Sequence, residues 1–446
     1  MNTPICDFVK KYAEDHNVRA HMPGHKGMRF LGAEHLDITE IQGADSLFEA
    51  DGIIAESEKN AAELFGAHTF FSTEGSSLCI RAMLCLCVKY ARTQGKRPLI
   101  FAGRNAHKTF LSAVALLDAD VRWMTGSCNE SYLSCKLSAE DVESYLKAAE
   151  ELPVAVYLTS PDYTGHMCDI KEIAAVCHRY GVILAVDNAH GAYLKFLSPS
   201  LHPIDLGADI CCDSAHKTLP CLTGAAYLHV SKNAPSLFCA EAKGALAMFG
   251  STSPSYLILQ SLDAANAYSA DGYRERLGRF ICKLSELKTS LCSYGYRVVG
   301  DEPMKLTLSE NNIGYKGNEI SDRLSNNGII CECSDKDFCV LMLTPENSDG
   351  DLERICRVLL SVEKKSCLPC SLPSYTSPVT AMSVREAMLS PCEILPVRSC
   401  KGRILAAPSV SCPPAVPILI CGEVIDDAAI ERFEYYGIKE CCVVRD

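Results

Sequence analysis

No stretch of this 446-residue chain is apolar for long enough to cross a membrane as a helix, so a membrane-spanning protein is not expected. The first residues, Met1-Asn2-Thr3-Pro4-Ile5-Cys6-Asp7, carry no basic patch followed by an apolar run. An export signal has that form, so its lack points to a cytoplasmic protein. Basic residues are short in supply: 43 Lys and Arg stand against 55 Asp and Glu, for a net charge of −12. Nucleic-acid binders carry a basic footprint, so broad binding to a phosphate backbone is excluded. A cationic small molecule, by contrast, would be drawn to such a surface. The single CxxC, Cys367 to Cys370, has no second ligand pair at metal-site spacing, so no metal is expected. Internal repeats and low-complexity tracts are lacking as well.

What is present describes a packed protein. Hydrophobic residues make up 48% and charged residues 22%, so too few residues are polar for disorder. Twenty-six cysteines without an export signal read as reduced, mostly buried small hydrophobes. The length calls for two or three domains. Residues 1–65 form an N-terminal arm. Residues 66–290 alternate short apolar runs with helical patterns: strands at 99–103, 121–124, 153–159 and 182–187, helices at 108–117, 138–149 and 170–180. Ser138 is placed to cap its helix. Near-continuous apolar strands such as Val182-Ile183-Leu184-Ala185-Val186 are buried on both faces, so the fold class is α/β with a mostly parallel sheet. A small α/β segment at 291–365, a Pro/Ser/Cys-rich stretch at 366–378 and a C-terminal domain at 376–446 complete the chain.

Four segments carry chemistry. Asp213-Ser214-Ala215-His216-Lys217-Thr218 follows an apolar strand. A lysine at a sheet edge, partly desolvated, has an amine available to form an imine, and the flanking hydroxyls can bond phosphate oxygens. Alone, such a lysine is more often a solvated surface charge. Asp187 ends a buried strand, where parallel α/β sheets bind ligands, and is followed by Asn188-Ala189-His190-Gly191. By itself it could cap a turn. The two segments lie thirty positions apart, and the pairing favours a site. Ser72-Thr73-Glu74-Gly75-Ser76-Ser77 precedes a helical run and offers free N–H groups and hydroxyls to a phosphate, or ordinary serine capping. His107 follows the strand at 99–103 and can lie flat on an aromatic ring, or serve structure alone.

These segments, in this order, resemble the ornithine/lysine/arginine decarboxylase family, whose large domain has the aspartate-aminotransferase-like fold of type I pyridoxal-phosphate (PLP) enzymes. His21-Met22-Pro23-Gly24-His25-Lys26-Gly27 is similar to its HxPGHKG signature, and the SxHKT of Ser214 to Thr218 to its cofactor motif. Further likeness runs through Asp37-Ile38-Thr39-Glu40, residues 52–58, Phe65-Gly66-Ala67, residues 251–256, Arg403-Ile404 and residues 418–423. The resemblance implies pyridoxal 5'-phosphate held as a Schiff base by Lys217, with Asp187 on the pyridine nitrogen and His107 stacked on the ring. It implies Ser76, Ser77, Ser214 and His216 on the phosphate and Ala189 on the opposite ring face. The catalytic residues are then Lys217, His107 and Asp187. The implied reaction is decarboxylation of arginine, lysine or ornithine, a step in polyamine biosynthesis, by a homodimer or larger homo-oligomer with a shared site.

Three positions depart from the family pattern: Thr73-Glu74 precede Gly75, Gly224 stands where Gln is common, and Cys421-Gly422-Glu423 replaces Pro-Gly-Glu. The long N-terminal wing domain has no counterpart. Glu423 could meet the cationic end of the substrate or cap a turn. Lys217 and His107 are both placed as proton donors. The alternatives are another type I PLP reaction, such as transamination or Cα–Cβ cleavage by a lyase, and a non-catalytic protein that keeps the fold.

Overall fold

The computed structural model describes residues 1–126, 131–309, 311–369, 373, 378–408 and 414–445. Cys370 of the CxxC and much of the Pro/Ser/Cys-rich stretch lie outside the described residues. The chain forms two compact units. One comprises Met1–Lys96, Val154–Ser160 and Ile170–Gly278, the other Arg97–Pro153, Pro161–Asp169 and Arg279–Asp446.

Seven strands lead the chain: β1 (His68–Ser72), β2 (Leu99–Gly103), β3 (Asp120–Met124), β4 (Ala155–Thr159), β5 (Ile183–Asp187), β6 (Ile210–Asp213) and β7 (Ala226–Val230). The first unit holds five of them in the order β1-β7-β6-β5-β4. β4, β5 and β6 run parallel, while β7 is antiparallel to both β6 and β1. Every residue of β5, β6 and β7 is buried, as near-continuous apolar sequences require when helices cover both faces, and Asp187, Asp213 and His229 are buried with them. Register matters here: Asp187 pairs with Cys212, so the ends of β5 and β6 that carry Asp187 and lead to Lys217 are neighbours.

The four expected strands sit within a residue or two of their bounds, and the helix Lys108–Leu117 matches its own. Ser138 caps the helix Ala139–Lys147 in a reciprocal box with Asp141. One helix differs. It begins at Gly75 and runs to Thr93, so the Gly-Ser-Ser segment is its first turn and not a turn ahead of it. Serine capping is therefore absent; Glu74 occupies the cap position without a side-chain bond.

The N-terminal helix Pro4–Glu14 is tied down by a buried carboxylate. Asp263 accepts the backbone N–H groups of Ile5 and Cys6, both at 3.0 Å, and the Ser57 hydroxyl at 2.6 Å. It thus satisfies donors that a helix start leaves open.

The second unit contains the parallel pair β2–β3. It adds an antiparallel sheet of β8 (Arg297–Val299), β9 (Lys305–Ser309), β10 (Cys333–Ser334) and β11 (Cys339–Met342), in the order β10-β11-β9-β8. Near the C-terminus β12 (Cys392–Pro396) pairs with β13 (Glu440–Val444). Leu405, Ile425, Phe433 and Val443 form a fully buried cluster with them. Among the described residues no helix is long and apolar enough to cross a membrane.

Candidate active site

β6 delivers the lysine. Its apolar residues end at Asp213, Ser214 follows, and the chain turns through the short helix Ala215–Thr218. Lys217 Nζ lies 3.0 Å from His190 Nε2. Ser214 donates its hydroxyl to Ser76 Oγ at 2.7 Å, which ties the lysine segment to the first turn of the helix Gly75–Thr93. Ser77 lies in the same turn. The ring of His216 bonds the Ala225 carbonyl through Nδ1 at 2.9 Å.

β5 delivers the aspartate. Asp187 is 2% exposed. One oxygen accepts the Ala189 backbone N–H at 3.2 Å, and the other accepts the Tyr157 hydroxyl at 3.2 Å. Burial pushes its carboxyl upward, the Lys217 charge pulls it down, and burial wins. Ala189, two residues on, is buried at the same strand end.

A second tier of polar side chains lies beside these groups. Asp213 accepts His202 Nε2 at 3.1 Å, His229 Nε2 at 3.2 Å and Asn188 Nδ2 at 2.7 Å. His229 in turn faces the Thr69 hydroxyl at 2.9 Å. All of Asp213, His202, His229 and Asn188 are fully buried. Burial works against the Asp213 anion, yet the two imidazoles hold its carboxyl well below the usual range. Because Asn188 follows Asp187 and Ser214 follows Asp213, this network cross-links the two strand ends that present the site.

Lys217, Asp187, Ser76, Ser77, Ala189, Ser214 and His216 all belong to the first unit, and His107 and Glu423 to the second. His107 caps the helix Lys108–Leu117, its Nδ1 accepting the Thr109 backbone N–H at 3.1 Å. Glu423 is buried, with both oxygens on Arg104 at 2.6 Å and a further bond from the Ile420 N–H at 2.8 Å. Sequence reading passed over His190, Tyr157, Asn188, Asp213, His202 and His229 as site residues. His190, Asn188 and Asp213 carried a signal, their place at or directly after a strand end; the others meet through strand order.

Residues 3–291 match the family model described as "Orn/Lys/Arg decarboxylase, major domain". The chain belongs to this family. It is 30% identical to the arginine decarboxylase of Bacillus subtilis (strain 168), over 96% of this chain and 92% of the relative. It is also 30% identical to the arginine decarboxylase of Halalkalibacterium halodurans, over 96% of this chain and 91% of the relative. In three dimensions it is similar to the Francisella novicida lysine decarboxylase LdcF, with a TM-score of 0.81, 15% identity, and 99% of this chain and 81% of that one covered. The fold is that of type I PLP enzymes, and the chain is a PLP-dependent decarboxylase of basic amino acids. The transaminase and non-catalytic alternatives are set aside.

The residues present fit the cofactor. A buried carboxylate whose desolvation is not offset suits a protonated pyridine nitrogen. The helix start at Gly75, in the left-handed region at φ +69°, has open space where a side chain would stand, beside the Ser76 and Ser214 hydroxyls. The Thr218 hydroxyl is buried and lacks a partner among the described residues. Each is a feature that a phosphorylated pyridine would use.

Proposed function

We propose that this decarboxylase acts on arginine, releasing carbon dioxide and agmatine, with Lys217 tethering the cofactor through its amine. One observation carries the reading: Asp187 and the lysine segment stand at adjacent ends of parallel strands, and the Lys217 charge acts on the Asp187 carboxyl. Arginine is favoured because the two relatives described above, each matched over more than nine-tenths of its length, are named arginine decarboxylases.

When bound, the cofactor supplies an electron sink for the pair left behind as the carboxylate departs. This chain's residues set the conditions. Asp187 holds a proton opposite itself, and its burial keeps water from competing for it. Ser76, Ser77, Ser214 and His216 would hold the phosphate, and Ala189 would pack against the ring; the family resemblance gives His107 the role of stacking on it. Lys217 would hold the cofactor through its side-chain amine. Either Lys217 or His107 delivers the proton to Cα. His190, at hydrogen-bond distance from Lys217, orients that amine. Glu423 anchors Arg104, and meeting the substrate cation would require that pair to open.

Carbon dioxide release from arginine, lysine and ornithine, measured with PLP beside keto-acid formation, tests the assignment. Arginine should be favoured by about ten-fold or more in kcat/KM, with agmatine equal to carbon dioxide. Preference for lysine or ornithine would overturn the substrate. Keto acid without carbon dioxide would overturn the reaction.

A homodimer within the cytoplasm is part of the same proposal. The N-terminal arm exposes Val18, Met22, Met28, Phe30 and Leu31, apolar surface of the kind a partner subunit covers. The described cysteines are free thiols, as a reducing compartment keeps them. Sedimentation at micromolar concentration should give a dimer or larger, and a monomer would count against shared sites. Recovery of the protein in the cytoplasmic fraction is expected, and recovery outside the cell would refute the compartment.

A further inference from the structure

The second unit contains a cavity of about 310 Å³ whose walls include Tyr132, Asp335, Lys336, Tyr435 and Tyr436. Three of its walls are aromatic rings in contact: Tyr132 meets Tyr436 edge to face at 4.7 Å, and Tyr435 meets Tyr436 at 5.0 Å. Edge-to-face packing leaves ring faces available, and those faces carry partial negative charge. The chain itself uses one of them, since Lys336 Nζ lies 4.5 Å from the Tyr435 centroid.

Two carboxylates belong to this region, and their states differ. Asp337 is buried and satisfied, one oxygen on the Tyr435 hydroxyl at 2.6 Å and the other on the Tyr436 hydroxyl at 3.1 Å. Asp335 is not. Its Oδ1 accepts the backbone N–H groups of Asp337 and Phe338, at 2.7 and 2.8 Å. No described residue donates to its other oxygen, and among the described residues it forms no ion pair. Burial, with the Asp337 charge beside it, pushes the Asp335 carboxyl up to about 6. A carboxylate partly taken from water without a cation gains when a cation arrives.

We propose that this cavity binds an alkylammonium or alkylguanidinium cation, its charge on Asp335 and its stem against the Tyr132 and Tyr436 rings. Such cations have two sources here, the substrate's own side chain and the free amine product. That match rests on the function proposed above; the binding chemistry does not.

Equilibrium dialysis of agmatine against the holoenzyme tests the site, comparing wild type with Asp335→Asn. The amide keeps the oxygen that accepts the two N–H groups and loses only the charge. Asp335→Asn should lose one equivalent of agmatine per chain or bind it about ten-fold more weakly. Arginine kinetics separate the sources. A raised KM with kcat retained assigns the cavity to the substrate's side chain. An unchanged KM with one agmatine equivalent lost assigns it to the free amine. Identical isotherms and identical KM for both proteins overturn the proposal. Should Asp335→Asn fail to fold, Tyr132→Leu removes a ring and leaves the carboxylate, and the same outcomes apply. Wild-type protein that releases no carbon dioxide would sink the proposed function, while dialysis would still decide on the cavity.

Discussion

At position 187 a single carboxylate is held where water does not reach it, and everything around it bears on its charge. Burial raises its protonation; Lys217, the Ala189 N–H and the Tyr157 hydroxyl oppose that. A protonated pyridine nitrogen would tip the balance to the anion. Asp187→Asn keeps the shape and removes the charge, so kcat should fall by about a hundred-fold or more while the cofactor remains bound. Steady-state rates beside the cofactor's absorbance check this, and near-normal turnover would contradict it. The placing of Asp187 and the Lys217 segment at neighbouring strand ends was legible because one ends an apolar run and the other follows one, a local signal. The Asp213 network was not. His202 and His229 reach Asp213 from opposite sides in sequence, and His229 is presented by a strand that neighbours β6 only through the antiparallel return of β7.

Element by element, the four expected strands and the three helices expected at 108, 138 and 170 fall within two residues of their bounds, and the helix that opens at Gly75 does not. Gly-Ser-Ser can precede a helix or open it. What decides is Gly224: its carbonyl accepts the Gly75 N–H at 2.7 Å and so holds the first turn in place. Gly224 lies at φ +101°, and a Cβ there would come 2.9 Å from the Thr73 carbonyl oxygen and 3.0 Å from Ile258 Cδ1. The departure from the family's Gln thus has a backbone reason in this chain. Gly224→Ala should lower stability by about 1–3 kcal/mol and loosen cofactor retention, read by thermal melting with and without PLP. An unchanged melting temperature would contradict that role.

The loop after β10 supplies a pH prediction. Asp335 keeps its proton in the folded state up to about pH 6, whereas the unfolded chain releases it near pH 4. A group raised in this way contributes stability below its unfolded value, and that contribution is lost as pH rises toward 6. The difference amounts to roughly 3 kcal/mol at most. Asp335→Asn should therefore gain stability relative to wild type between pH 4 and 6, measured by denaturant melts across that range. Parallel pH curves for the two proteins would refute the shift.

For the molecule as a whole, a reading along the chain sets zones in sequence order, whereas compactness groups distant segments. Strand pairing is the cause: β4 and β5 join residues separated by a helix, and β1 pairs with β7 across more than one hundred and fifty positions. The C-terminal region is anchored in its own unit by Arg104 and Glu423, 13% and 3% exposed. Arg104→Ala would strand a buried carboxylate and should cost about 3–5 kcal/mol, with Glu423→Gln recovering much of it. Denaturant melts of both single variants and the double check the coupling; additive losses would argue against it.

The central claim is that one amine, that of Lys217, holds the cofactor. Borohydride reduction of the holoenzyme fixes the cofactor to the residue that bears it, and peptide mass mapping then identifies that residue. The modification should fall on the peptide containing Lys217 and vanish in Lys217→Ala together with turnover. A cofactor fixed to any other lysine, or a Lys217→Ala protein that still releases carbon dioxide at the wild-type rate, would contradict the account.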